Sequence, residues 1–214
     1  MKKKLLMKKL RLYVITDRTL KPEIESVKAA LEGGATAIQL RIKNASTKEM
    51  FEIGKKIREL TEECNALYVV NDRLDVALAT EADGVHLGSN DLPVSVAKRI
   101  APDLIVGAST NNLEAALKAE ADGADYLGVG SVFPTSTKRD AKVIGLENFK
   151  NIKRSVRIPV IAIGGIDHGN VLEVLKAGAD GIAVISAVMA AEDVRDATAK
   201  FRKILDSFFG NNSY

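Results

Sequence analysis

Eight times along the chain, a short run that is apolar at nearly every position gives way to a longer run whose apolar residues recur every three or four places. This alternation constrains the fold more than any other feature. A run such as VIAIGG or GIAVIS, apolar on both sides of its pleat, must be covered on both faces, which is the condition of a strand in a parallel sheet. Parallel neighbours need a crossover between them, and the longer runs supply amphipathic helices for it. Strands are expected over Leu12 to Thr16, Ala37 to Ile42, Leu67 to Val70, Gly84 to Leu87, Leu104 to Gly107, Tyr126 to Gly130, Val160 to Ile163 and Gly181 to Ile185. Helical spacing is plainest at Met50, Ile53, Ile57 and Leu60, and at Val194, Ala197, Phe201, Leu205 and Phe208. Ser46 and Glu49 have capping-box spacing and mark the start of the first of these helices.

Internal echoes support the count. LYVITDR (residues 12–18) returns as LYVVNDR (67–73). A small-residue motif, with aspartate in three of its four copies, precedes the even-numbered strands in GGATAIQL, ADGVHL, GADYLGVG and GADGIAVI. Its glycine suits the left-handed cap that ends a helix before a short link to the next strand. Eight such units in 214 residues imply a (β/α)8 barrel, since the competing open, doubly wound sheet more often has fewer strands.

A composition of 46% apolar and 28% charged residues, without low-complexity runs, is that of one ordered domain, expected over residues 11–214. The net charge of +3 belongs to a basic arm, residues 1–10, followed by Arg11: six Lys or Arg precede residue 12, leaving 25 basic against 28 acidic groups beyond it. The arm reads as solvated, and its longest apolar run, Leu5 to Met7, is too short for a secretory signal. No stretch is long enough to span a membrane. Neither a membrane nor a nucleic acid is expected as partner, and homo-oligomerisation stays open. Cys64, the single cysteine, continues an amphipathic face and reads as a buried thiol; without a second cysteine a reducing cytoplasm is the expected compartment.

In such a barrel the chemistry lies at the C-terminal ends of the strands. After the second strand, a period of two would turn Gln39, Arg41 and Lys43 to one side, the interior. Asn71 and Asp72 follow the third strand and Asp91 the fourth; two carboxylates on neighbouring loops could hold Mg2+ with phosphate oxygens, although spacing alone favours helix capping for both. His86, within a strand, reads as a satisfied core residue, and His168 as a loop residue or cap. The loop Phe133 to Arg139 carries Thr135, Ser136, Thr137 and Lys138, a set of hydroxyls and cations suited to a phosphate ester. Gly164 and Gly165 after the seventh strand and Ser186 after the eighth stand where barrels bind phosphate through amides. With no nucleophilic cysteine or Ser/His/Asp set evident, these residues point to a transferase or lyase of phosphorylated small molecules.

The motifs QLRIK (39–43), ND (71–72), HLGSND (86–91), VFPTSTKRDA (132–141), AIGGI (162–166) and GIAVISAVM (181–189) closely resemble the thiamine-phosphate synthase family, nearly from end to end. The resemblance implies a (β/α)8 enzyme that joins hydroxymethylpyrimidine pyrophosphate to hydroxyethylthiazole phosphate and releases pyrophosphate with Mg2+. Matched motif by motif, Gln39 would contact the pyrimidine, and Arg41, Lys43, Asn71, Ser109 and Lys138 would surround the pyrophosphate, with Arg41, Lys43 and Lys138 assisting its departure. Asp72 and Asp91 would hold the metal; Thr135, Thr137, Gly165, Ile185 and Ser186 would receive the thiazole phosphate. Two departures stand out: Ser89 where members commonly have Gln, and Asn111 two places after Ser109, where they commonly have His or Thr. A related barrel, the thiazole tautomerase, is an alternative. It uses histidine at the position of Asn111 and lacks the FPTxTK loop, and both differences favour the synthase. A silent, regulatory barrel would have lost Asp72, Asp91 or Lys138, and all three are present.

Overall fold

A computed structural model describes residues 3–135, 137 and 142–211. Eight parallel strands close in sequence order: β1 (Leu12–Ile15), β2 (Ala37–Leu40), β3 (Leu67–Asn71), β4 (Gly84–Leu87), β5 (Ile105–Thr110), β6 (Tyr126–Val129), β7 (Val160–Ile163) and β8 (Gly181–Val184). After α1 (Lys3–Lys9), the crossovers are α2 (Glu23–Glu32), α3 (Thr47–Glu63), α4 (Leu74–Ala79), α5 (Val94–Ile100), α6 (Leu113–Ala121), α7 (Gly145–Ser155) and α8 (Val171–Lys176). The short α9 (Ser186–Met189) and the long α10 (Val194–Asn211) follow β8. The single (β/α)8 barrel is therefore as the alternation implies, with strand ends displaced by a few residues. β2 stops at Leu40 rather than Ile42, and β5 runs on to Thr110.

Two apolar layers hold the barrel. Side chains such as Val14, Ile38, Val70, Val85 and Ile182 point outward into the helices, while Tyr13, Ile15, Ala37, Leu67, Val69, Ile105, Tyr126, Ile161 and Ala183 fill the interior. The LYV repeat does not keep its phase between these layers. Tyr13 points into the barrel, but Tyr68 points out, where its ring lies 5.7 Å from the Arg58 guanidinium. Tyr13 pairs with Ala37 and Ala37 with Leu67, so the inward position of β3 is Leu67, one residue earlier than the repeat suggests.

The motif before the even strands has a mechanical role. Thr36 Oγ1 accepts from the Leu12 amide at 2.9 Å, and the carboxylates of Asp83, Asp125 and Asp180 each accept, at 2.8 Å, from the amides of Tyr68, Val106 and Val160. Each clasp ties the entry of an even strand to the start of the preceding odd one. Arg58, Lys98 and Lys153, from the preceding helices, neutralise the three aspartates.

Two expectations need correction. The basic arm is not a solvated extension: residues 3–9 form a helix that, with Leu6 and Leu10 buried in the interior cluster, closes the N-terminal mouth of the barrel, and Lys9 Nζ donates to the Asn65 backbone oxygen (3.0 Å) and Oδ1 (2.8 Å). An amphipathic start, Leu6 and Leu10 at i and i+4, is sufficient reason. Cys64 is exposed, because α3 ends at Glu63 and Cys64 is already its C-cap. At the other end of α3 only half the capping box forms: Ser46 Oγ accepts from the Glu49 amide at 3.1 Å, while the Glu49 carboxylate pairs with Arg18 at 2.8 Å.

Candidate active site

The C-terminal ends of the strands collect most of the polar residues singled out in the sequence. On β2, Gln39 is buried, faces inward and donates from Nε2 to the Tyr13 hydroxyl at 2.7 Å. Arg41 comes just after the strand. Thr16 fixes its backbone, accepting from the Arg41 amide at 2.9 Å, and the half-buried guanidinium lies 3.9 Å from Asp17, a rim carboxylate that sequence reasoning passed over. Lys43 lies beyond the paired strand. Once β2 stops pairing at Leu40 its two-residue alternation lapses, and Lys43 stands exposed in a turn beside Asn44, whose φ is 63°.

Asp72 and Asp91 meet at the ends of β3 and β4, and neither caps a helix. The N-cap of α4 is Arg73 and that of α5 is Pro93, neither with a side-chain cap, so the capping expectation fails for both aspartates. Asp91 Oδ2 instead accepts from the Gly88 amide at 2.7 Å, folding the HLGSND loop back on itself. Asp72 takes a left-handed φ of 63°. Although the residue stands open at the rim, desolvation of its crowded carboxyl, then a shared hydrogen bond with Asp91 and the charge of Asp91, raise its pKa to about 6; Arg41 and a hydrogen bond from Asn71 oppose the rise. Two carboxylates held this close need a proton or a cation between them. Among the described residues no group of three or more His, Cys, Asp or Glu is gathered to hold a metal. A hard cation held by these two carboxylates alone would have its remaining positions open to phosphate oxygens and water.

Below this rim lies a buried polar chain. The Tyr13 and Tyr126 hydroxyls are 3.0 Å apart, Tyr126 is 3.0 Å from His86 Nδ1, and His86 Nε2 is 2.9 Å from Ser109 Oγ. His86 is a satisfied core histidine, as expected, and burial lowers its pKa to about 4, so the ring is neutral near pH 7. Ser109, exposed at the end of β5, is where the chain reaches the mouth.

The loop after β6 rests on the end of β7. Val132 and Phe133 donate their amides to the Ile163 and Gly164 carbonyls at 3.0 Å, and the Thr137 amide reaches Thr135 Oγ1 at 3.3 Å. Gly164 and Gly165 have φ of 97° and 64°, and a Cβ on Gly165 would strike the Pro134 carbonyl and the Phe133 side chain, so this contact requires glycine. Lys138 and Ser136 lie outside the described residues. Ile185 packs against the interior core, and Ser186 opens α9, whose first amides have no carbonyl one turn back to donate to. His168 is held away from this rim, with Nε2 2.9 Å from the Ala197 carbonyl and its ring 4.0 Å from Phe201.

A family model described as thiamine monophosphate synthase matches residues 12–188. The chain belongs to the thiamine monophosphate synthase family. Within that family, the thiamine-phosphate synthase of Pyrococcus furiosus is 67% identical over 202 residues, spanning 94% of this chain and 98% of that one. The thiamine-phosphate synthase of Methanococcus vannielii is 52% identical over 200 residues, spanning 94% and 97%. A solved structure of thiamine phosphate pyrophosphorylase from Pyrococcus furiosus superposes with a TM-score of 0.93 at 66% identity, covering 96% of this chain and 100% of that one. As a member of the thiamine monophosphate synthase family, the chain is an enzyme, a transferase of thiamine biosynthesis.

Proposed function

We propose that this enzyme joins 4-amino-5-hydroxymethyl-2-methylpyrimidine pyrophosphate to 4-methyl-5-(2-hydroxyethyl)thiazole phosphate, giving thiamine phosphate and pyrophosphate. The observation that carries the reading is the pairing of Asp72 with Asp91 beside Arg41, at the mouth of a barrel whose family bears the synthase name. Asp72 and Asp91 would hold Mg2+, which when bound supplies positive charge to the leaving pyrophosphate. Arg41, Lys43, Asn71, Ser109 and Lys138 add donors around the same group. Gln39 orients the pyrimidine over the floor of the barrel, and Thr135, Thr137, Gly165, Ile185 and Ser186 seat the thiazole phosphate.

The chemistry asks for no protein nucleophile. Pyrophosphate departs as its charge is neutralised, the electron-rich aminopyrimidine stabilises the cationic methylene left behind, and the thiazole nitrogen attacks that carbon. Preorganised cations at the leaving group act most where charge develops, in the transition state. The absence of any helix among the described residues long and apolar enough to cross a membrane accords with small, charged substrates met in water, and a reducing cytoplasm suits the exposed Cys64.

The test is pyrophosphate release with both substrates, with each omitted in turn, and across a magnesium titration. Release that needs both substrates is expected. Asp72→Asn and Asp91→Asn should each raise the magnesium needed for half-maximal rate on the order of tenfold or more, with less than about 1 kcal/mol change in stability, because each keeps its shape and loses only charge. Wild-type magnesium dependence in both variants would remove the metal from this site.

A further inference from the structure

Across the barrel interior, Gln39 on β2 and Ser109 on β5 are the two ends of one unbroken hydrogen-bond chain: Gln39 Nε2 to Tyr13 (2.7 Å), Tyr13 to Tyr126 (3.0 Å), Tyr126 to His86 Nδ1 (3.0 Å), and His86 Nε2 to Ser109 Oγ (2.9 Å). The middle members are buried, with Tyr13 at 1%, Tyr126 at 0% and His86 at 8% exposure. Room for them is made by glycines. A Cβ on Gly107 would overlap the Tyr126 ring, and one on Gly128 would lie 3.0 Å from His86 Cε1. A strand-interior glycine costs order, and a pair of them facing one polar chain gives the chain a close and fixed seat.

Each hydroxyl has one proton and the neutral imidazole one N–H, so the chain has a direction. If Gln39 donates through Nε2, Tyr13 donates to Tyr126, Tyr126 to Nδ1 and Nε2–H to Ser109, and the serine proton is left to point out of the chain. Gln39 Oε1 takes no part in this chain and is left to accept. Turning the Gln39 amide over reverses every bond, and Ser109 then donates inward to His86 and offers only lone pairs to the mouth. The two orientations of one amide are thus tied to the two orientations of a hydroxyl on the other side of the barrel.

We infer that the Gln39–Tyr13–Tyr126–His86–Ser109 chain is a specificity device, which makes Ser109 a donor to the pyrophosphate only when the ring over Gln39 presents an amino group. The inference rests on the proposed substrates. An amino group donates to Gln39 Oε1 and holds the chain in the direction that aims the Ser109 proton at an anionic leaving group. A ring with an oxo group in that place would instead draw the Gln39 NH2 outward, reverse the chain and set a serine lone pair against phosphate oxygen. The substituent whose electrons the reaction needs is thereby checked at the leaving group as well as at the ring. Tyr13, Tyr126 and His86 act as positioning residues, through Gln39 and Ser109.

The experiment compares turnover of the 4-amino pyrimidine pyrophosphate with that of its 4-oxo analogue, at saturating thiazole phosphate and magnesium, in the wild-type enzyme, Tyr126→Phe and Tyr13→Phe. Each substitution keeps a ring and cuts the chain. The amino-to-oxo ratio of kcat/KM should fall about tenfold or more in both, mainly through a lower kcat for the amino substrate, with the KM for thiazole phosphate unchanged. An unchanged ratio in a folded variant overturns the inference and leaves the proposed function standing. Failure of the wild-type enzyme to couple the amino substrate overturns both. A readout free of substitutions is the imidazole nitrogen spectrum of the wild-type enzyme, in which only His86 and His168 contribute. With the amino pyrimidine pyrophosphate bound, His86 should be the Nε2–H tautomer, and an Nδ1–H tautomer would contradict the chain's direction.

Discussion

At His86 the two ring nitrogens meet Tyr126 and Ser109, and burial holds the pKa near 4 against an ordinary value of 6.5. Between those two values the unfolded chain takes up a proton that the folded one refuses, so His86 favours folding above pH 6.5 and loses that contribution as the pH falls toward 4. Asp72, raised to about 6, titrates over part of the same range with the opposite sign, so the comparison has to be made against a variant that keeps Asp72. The stability advantage of wild type over His86→Gln should shrink by at most ~3 kcal/mol between pH 6.5 and 4, as read from denaturant melts at a series of pH values. A constant difference would mean that the ring is not held neutral by burial. Most rim residues were legible in the sequence because each follows a strand, the one place where a barrel leaves polar groups unpaired with the core. Strand alternation says little about Lys43, because β2 stops pairing at Leu40. Spacing alone favoured caps at Asp72 and Asp91 because Arg73, Leu92 and Pro93 separate them from the helices that follow, an offset that composition does not reveal.

At the scale of elements, α1 and the aspartate clasps do the work of closing the barrel's lower end. The (β/α)8 alternation was readable because strands covered on both faces are apolar throughout. The facing of each strand was not, since Tyr13 and Tyr68 occupy the same place in a seven-residue echo and point to opposite layers. The chain of Tyr13, Tyr126 and His86 was hidden for that reason, although Gly107 and Gly128, glycines inside strands, were the available signal that something approaches closely. The N-terminal segment misled through its charge. Five lysines and three leucines share residues 1–10, and Leu6, at 6% exposure, seals the barrel floor with Leu10, at 0%. Leu6→Ala should cost about 2–3 kcal/mol of stability, seen as a lower melting temperature, with turnover unchanged below the transition because α1 lies at the opposite end from the site. An unchanged melting temperature would return the segment to a solvated arm.

For the molecule as a whole, the division of labour is spatial. The N-terminal end of the barrel carries clasps and a helical plug, and the C-terminal end carries the carboxylate pair, the cations and the glycine-borne loop, with one polar chain running across the interior below them. An opening of about 850 Å3 between α2, α9 and α10 is lined by Lys21, Glu25, His168, Asp193 and Lys200 and lies outside this arrangement. Function here depends on place, and the decisive measurement is a crystal structure of the enzyme with magnesium, thiamine phosphate and pyrophosphate. The pyrimidine is expected over Gln39 with its amino group on Oε1, pyrophosphate between Ser109, Arg41 and the Asp72–Asp91 pair, and the thiazole phosphate at Gly165 and Ser186. Product seated in the opening between α2 and α10, or at the mouth with Asp72 and Asp91 facing away from pyrophosphate, would contradict it.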